Sequence, residues 1–145
     1  MLTRRGFPSC YNRSRQGMGE QMTTLLIVDD NLEMRQLVKS IAGKSSDQIF
    51  ECEDGDEALA AFSKHHPDWV VMDVEMKRMD GLKATAQILT QYPQAKIIIV
   101  TKHTDTQTRA AAREAGACGF CSKDDLLRLR PLIQGEHPPG TRAGD

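Results

Sequence analysis

Three carboxylates, a hydroxyl and an ammonium group follow four apolar runs of this 145-residue chain. Asp29 and Asp30 end Leu25-Leu26-Ile27-Val28, and Asp73 ends Trp69-Val70-Val71-Met72. Thr101 ends Ile97-Ile98-Ile99-Val100, and Lys123 comes just after a run ending at Cys121. One acid or hydroxyl in such a place reads as the cap of the next helix. The same kind of terminator on every run reads as a shared site. Crowded carboxylates repel one another and raise each other's pKa values, which a hard dication relieves. Mg²⁺ takes oxygen ligands in octahedral geometry, keeps several waters and commonly joins carboxylates to a phosphate. One oxygen of Asp73 is then available to attack phosphorus and give an aspartyl phosphate. The phosphoryl oxygens need neutralising donors, for which Lys123 and Thr101 have the right chemistry. Glu75 and His103 flank the site, but neither stands out as a group placed to activate water.

These residues converge only if the runs lie side by side. A short unbroken apolar run reads as a buried strand. Strands are predicted over 24–29, 48–52, up to Asp73, over 96–100 and over 117–121. Between them the apolar spacing turns helical. Met34, Leu37, Val38 and Ile41 mark the inner face of a first helix capped by Asp30 or Asn31, and Ala58, Leu59, Ala61 and Phe62 that of a second. Leu82, Ala86 and Leu89 mark a third helix over 81–91, ended by Tyr92-Pro93. A fourth, 105–115, is alanine-rich and weakly anchored, with Gly116 as its cap. A last helix holds Leu126, Leu127 and Leu129 and is broken by Pro131. The alternation requires a parallel sheet with helices on both faces and right-handed crossovers. The expected fold is α/β, doubly wound, with five strands in the flavodoxin-like order 2-1-3-4-5, whose ligands gather at the carboxyl ends of the central strands.

Composition bounds the rest. Hydrophobic content of 39% and charged content of 27% are ordinary for a soluble domain. Net charge of −1 gives no electrostatic case for nucleic acid. No apolar run approaches the roughly 20 residues of a membrane span, and the arginine-bearing N-terminus has no apolar stretch behind it, so a cytoplasmic location is expected. Residues 1–22 read as a disordered or loosely attached tail, 23–133 as the folded domain, and 134–145 as a second disordered tail. Cys118-Gly119-Phe120-Cys121 is a CxxC. A redox pair needs its first thiol at a helix N-terminus, and in a strand these two would face opposite sides; small buried cysteines are the expectation. His65-His66-Pro67 reads as a solvated helix end.

The ordered set Val28-Asp29-Asp30-Asn31, Asp73, Met79-Asp80-Gly81, Thr101, Gly116-Ala117 and Lys123 resembles the receiver domain of two-component response regulators, over about residues 24–133. That resemblance implies that Asp73 is the phosphoacceptor. It implies that Asp30, Asp73 and the Glu75 main-chain carbonyl contact Mg²⁺, with Asp29 acting mainly through water. It places Thr101 and Lys123 on the phosphoryl oxygens and Phe120 at the aromatic switch position, where plain core packing is the simpler role. It implies a sensor histidine kinase or histidine phosphotransfer protein as donor. The weakly anchored fourth helix and the short, interrupted fifth mark the face of the fourth helix, fifth strand and fifth helix as the expected docking surface of an output protein, and no DNA-binding domain is expected. Many relatives have proline where Lys77 stands, so the loop after Asp73 is expected to be less fixed. A small residue usually follows the hydroxyl, and Lys102 in its place either crowds the pocket or lends it charge. The alternative function is a Mg²⁺-dependent phosphatase passing through aspartyl phosphate, with Glu75 as general acid.

Overall fold

The computed structural model describes residues 23–43 and 48–133. The segments read as tails, Cys10 among them, lie outside the described residues. In chain order the elements are β1 (Thr24–Val28), α1 (Leu32–Ala42), β2 (Gln48–Cys52), a 3₁₀ turn (Gly55–Glu57) running into α2 (Ala58–His65), and β3 (Trp69–Asp73). There follow α3 (Gly81–Gln91), β4 (Ile97–Thr101), α4 (Thr106–Ala115), β5 (Gly119–Ser122), an irregular 3₁₀ stretch (Lys123–Arg128) and α5 (Leu129–Ile133). All strand pairs are parallel, as the alternation of elements requires, and the order is the expected β2-β1-β3-β4-β5.

The central strands are buried on both faces, which is why β3 and β4 read as continuous apolar runs. Their pleat divides the core in two. Leu26, Val28, Val70, Met72, Ile97 and Ile99 face α2, α3 and α4 through Phe62, Ile88 and Ala112. Leu25, Ile27, Val71, Ile98 and Val100 face α1 and α5 through Val38, Ala42 and Leu129. Each fully buried Ile or Leu contributes about 1.5–3 kcal/mol, so the all-buried Ile97-Ile98-Ile99 run makes β4 one of the firmest elements. Helix starts are fixed by caps: Asn31, Asp80 and Asp105 accept from the backbone N–H groups of Met34, Lys83 and Thr108 at 2.9, 2.8 and 2.7 Å. Gly116 ends α4 in the left-handed region at φ 102°.

Several local expectations are corrected. On α1, Leu37 is 44% exposed and Arg35 is buried, because Arg35 finds carbonyl and carboxylate partners inside. On α3, Ala84, Thr85 and Ile88 are buried while Ala86 is exposed and Leu82 and Leu89 are half-buried. This helix packs against α2 and α4 as well as the sheet, so its larger side chains serve its flanks. The last helix is not interrupted by Pro131, which lies in the first turn of α5 where its missing N–H costs little. The break comes earlier, at Asp125 (φ −141°, ψ 55°). The histidine pair is not simply solvated: His65 stacks on Phe50 with ring centroids 3.6 Å apart, and His66, at φ 45°, packs edge-on to Tyr92.

Candidate functional site

Strand register brings the singled-out residues to one edge. Val28 pairs with Met72, so Asp29 lies level with Asp73. Asp73 pairs with Val100, which puts Thr101 one residue further on, and Thr101 pairs with Ser122, which puts Lys123 one beyond that. The result is an open cleft of about 380 Å³ lined by Asp29, Asp30, Asp73, Glu75, Thr101, Lys123 and their neighbours. Carboxylate oxygens of Asp29, Asp30 and Asp73 all lie within 4.8 Å of one another. The Lys123 ammonium lies 3.0 Å from Asp29 Oδ2 and 3.1 Å from Asp73 Oδ1. Asp29 and Asp73 are buried and Asp30 is exposed.

The electrostatics follow from that crowding. Burial, and then the charge of Asp29, push the Asp73 carboxyl up to about 6, against the pull of the Lys123 ammonium and the Val74 N–H. Burial alone would lower Lys123, but Asp29 and Asp73 outweigh it and hold the ammonium above its ordinary value. One cation facing three acids leaves negative charge uncompensated. An all-oxygen donor set of this kind suits a hard dication such as Mg²⁺.

The loop after β3 is held from outside the sheet. Asp54, buried at the end of β2, accepts from the backbone N–H groups of Arg78 and Met79 at 2.8 Å each. Burial raises its pKa, yet these N–H groups and that of Asp56 outweigh burial and keep the carboxyl below its usual range. Arg78 then reaches back to Asp56 and Glu57 at 2.7 and 3.0 Å. The expectation of a less fixed loop at Lys77 is therefore answered by a different tether. Gly81 matters as much: its N–H donates to the Val74 carbonyl at 2.8 Å, and any Cβ there would overlap the Asp73 carbonyl oxygen. On the other flank, Arg35 donates to the Asp29 carbonyl at 2.7 Å and to Glu51 at 2.7 Å, bracing the acidic pair. Asp54 was not singled out from the sequence, and neither was Arg35. The only available signal was a charged residue set among apolar helix positions.

Thr101 is buried, and its hydroxyl accepts from the His103 N–H at 3.0 Å. The Glu75 carboxylate is 71% exposed and lies 2.7 Å from His103 Nε2. Phe120 is half-buried beneath the Arg109 guanidinium, 4.7 Å from its ring centroid. Cys118 precedes β5 and packs with Cys121 on the same cluster, so the two are not split between faces, since Cys118 lies ahead of the strand's pleat. No disulfide joins them, and burial pushes the Cys121 thiol up to about 11, opposite to what redox chemistry needs.

Residues 25–134 match the family model described as the response regulator receiver domain. The chemotaxis protein CheY of Listeria monocytogenes is 38% identical over 103 residues, covering 70% of this chain and 87% of that protein. The transcriptional regulatory protein DegU of Brevibacillus brevis is 28% identical over 109 residues, 74% of this chain but only 46% of that longer protein. The crystal structure of Vibrio cholerae chemotaxis protein CheY4 superposes with a TM-score of 0.73 at 27% identity, over 81% of this chain and all of that one.

Proposed function

Because the chain belongs to the response regulator receiver domain family, we propose that it is a phosphorylation-dependent signalling switch that takes a phosphoryl group on Asp73 from a sensor histidine kinase or histidine phosphotransfer protein. The observation that carries this reading is the Lys123 ammonium at 3.0 and 3.1 Å from Asp29 and Asp73, inside a cluster of three carboxylates. Asp30, Asp73 and the Glu75 main-chain carbonyl would hold Mg²⁺, with Asp29 acting through water. When bound, the ion supplies charge neutralisation for the transferring phosphoryl group and its ligands. Asp73 contributes the nucleophile: one carboxylate oxygen forms the new O–P bond, the donor's bond to phosphorus breaks, and its electron pair leaves with the donor. Lys123 exchanges part of its contact with Asp73 for the phosphoryl oxygens. The Thr101 hydroxyl turns from the His103 N–H toward the same oxygens.

Thr101 and Phe120 then carry the output. Phe120 sits next to β4 through the Ile99–Phe120 pairing, so movement of Thr101 opens space toward which its ring can turn. The output protein docks at the face of α4, β5 and α5. A hydrolytic role would need the Glu75 carboxylate as general acid, and its engagement with His103 at the solvent side supports the switch instead. The test is incubation with acetyl phosphate and Mg²⁺, followed by intact-mass measurement. One stable phosphoryl adduct is expected on the wild type and none on Asp73→Asn. Equal labelling of both proteins would remove Asp73 as acceptor, and rapid multiple turnover of the donor would favour the phosphatase.

A further inference from the structure

The loop after β3 brings Glu75 to the cleft. Its own sequence does little to fix its path, since Val74-Glu75-Met76-Lys77-Arg78-Met79-Asp80 contains no proline to set a φ angle. The base of the loop is closed by the Gly81 N–H on the Val74 carbonyl at 2.8 Å. Its far side is held by four consecutive residues of another connection, the turn between β2 and α2. Asp54, 2% exposed, takes the Arg78 N–H on one carboxylate oxygen and the Met79 N–H on the other, both at 2.8 Å. A Cβ on Gly55 would overlap the Met79 carbonyl oxygen, so backbone meets backbone there. Asp56 and Glu57 hold the Arg78 guanidinium at 2.7 and 3.0 Å, but these three side chains are exposed, and such pairs hold weakly. The buried carboxylate is the firm part of the clamp, because two N–H groups lose their partner when it goes.

We propose that Asp54, which lies outside the cleft, is a positioning residue for the cation: it fixes the loop that presents the Glu75 carbonyl. The inference rests on reading that carbonyl, Asp30 and Asp73 as the cation's ligands, and it adds to that reading a residue that touches neither ion nor phosphoryl group. A loop released from Asp54 presents its carbonyl for only part of the time, and affinity for the ion falls by that fraction. Asp73 and Lys123 keep their places on the strand ends, so the transfer itself is unchanged once the ion is bound. The signature is a shift in the Mg²⁺ requirement without a loss of maximal rate, which general damage to the fold would not give.

The experiment uses the full chain with three substitutions. Asp54→Asn keeps the size of the side chain but turns an N–H₂ group toward a backbone N–H. Gly55→Ala pushes on the Met79 carbonyl with the Asp54 carboxylate intact, and carries the same expectation if Asp54→Asn does not fold. Arg78→Gln removes only the exposed ion pairs. Calorimetry should show Mg²⁺ affinity about 10-fold weaker in Asp54→Asn and Gly55→Ala, as for a loop in place about a tenth of the time. Arg78→Gln should stay within about 2-fold of wild type. At saturating Mg²⁺, acetyl phosphate should label Asp54→Asn at the wild-type maximal rate. Amide exchange without metal should show Arg78 and Met79 losing protection in Asp54→Asn while β3 and β4 keep theirs. Wild-type Mg²⁺ affinity in Asp54→Asn, with those two amides exchanging faster, would overturn this inference and leave the phosphoacceptor reading standing. So would a lowered maximal rate with unchanged affinity. A wild type that neither binds Mg²⁺ nor takes label on Asp73 would overturn that reading and the inference with it.

Discussion

At the scale of single residues, the cost of the site is concentrated in Asp73. With no cation bound, its carboxyl titrates at about 6 against an ordinary 3.8, first through burial and then through Asp29. The native protein therefore keeps this proton to higher pH than the unfolded chain. Stability from this group is complete below the ordinary value and is lost as pH rises through 6. Asp73→Asn cannot ionise and should be more stable than wild type at pH 7, in metal-chelated buffer, by on the order of 1 kcal/mol. Thermal melts across pH should show that advantage vanish toward pH 4, and saturating Mg²⁺ should reduce it at pH 7. Wild type and variant melting together at pH 7 would mean that Lys123 already neutralises the carboxylate. The acids themselves were legible because each ends an apolar run, and nothing but a site explains so many. Asp54 and Arg35 were not. Their partners lie far along the chain, at Arg78 and Met79 for one and at Glu51 for the other. Burial of both also contradicts the ordinary outward preference of charge.

At the scale of elements, the site depends on how closely α3 meets β3. Gly81 starts the helix under the cap of Asp80 and lies against the Asp73 carbonyl. Gly81→Ala must push the helix start away from the strand end, and overpacking of this kind costs about 1–3 kcal/mol. The displaced loop carries Glu75, so Mg²⁺ binding should weaken along with stability; chemical denaturation and calorimetry on one variant would read both. A variant with wild-type stability but weakened Mg²⁺ binding would instead locate the effect in the loop alone. The extent of α3 was readable from the Asp80 cap and the Tyr92-Pro93 stop. Which of its sides faces inward was not. Leucine marks an apolar arc, but three packed neighbours make that arc wide, and the small residues Gly81, Ala84 and Thr85 take its centre because the sheet is so near. The irregular stretch after Lys123 was equally hidden: its leucines, at 126, 127 and 129, fit a continuous helix, whereas the observed break at Asp125 leaves Leu127 75% exposed.

At the scale of the whole molecule, topology was the most legible feature, because strict alternation of strand and helix leaves few ways to bury both faces of a sheet. How the halves differ in firmness is a tertiary property. β3 and β4 are wholly buried, whereas α4 buries only Ala112 and α5 is a five-residue helix behind a kinked lead-in. Elements with so little buried apolar surface are the ones that shift at a cost of a few kcal/mol. Arg109 joins them by lying over Phe120 and donating to the Thr104 carbonyl at 3.2 Å, so α4, β5 and the loop after β4 share one latch. On the proposed reading, phosphorylation would add charge at Asp73 and draw in Thr101, and the loop containing His103 should follow because its N–H now leans on that hydroxyl. The expected result is a 5- to 150-fold change in affinity for the output protein, the range that a coupling of about 1–3 kcal/mol gives. Thr101→Ala should still accept the phosphoryl group but lose much of that change. Amide exchange with and without a beryllium fluoride phosphate mimic checks it directly: altered protection should extend through residues 102–130, and in Thr101→Ala it should shrink to the loop after Asp73. Protection confined to that loop in the wild type as well would leave the α4, β5 and α5 face without a role in signalling. The partner would then have to read the cleft itself, whose lining includes the exposed Lys102.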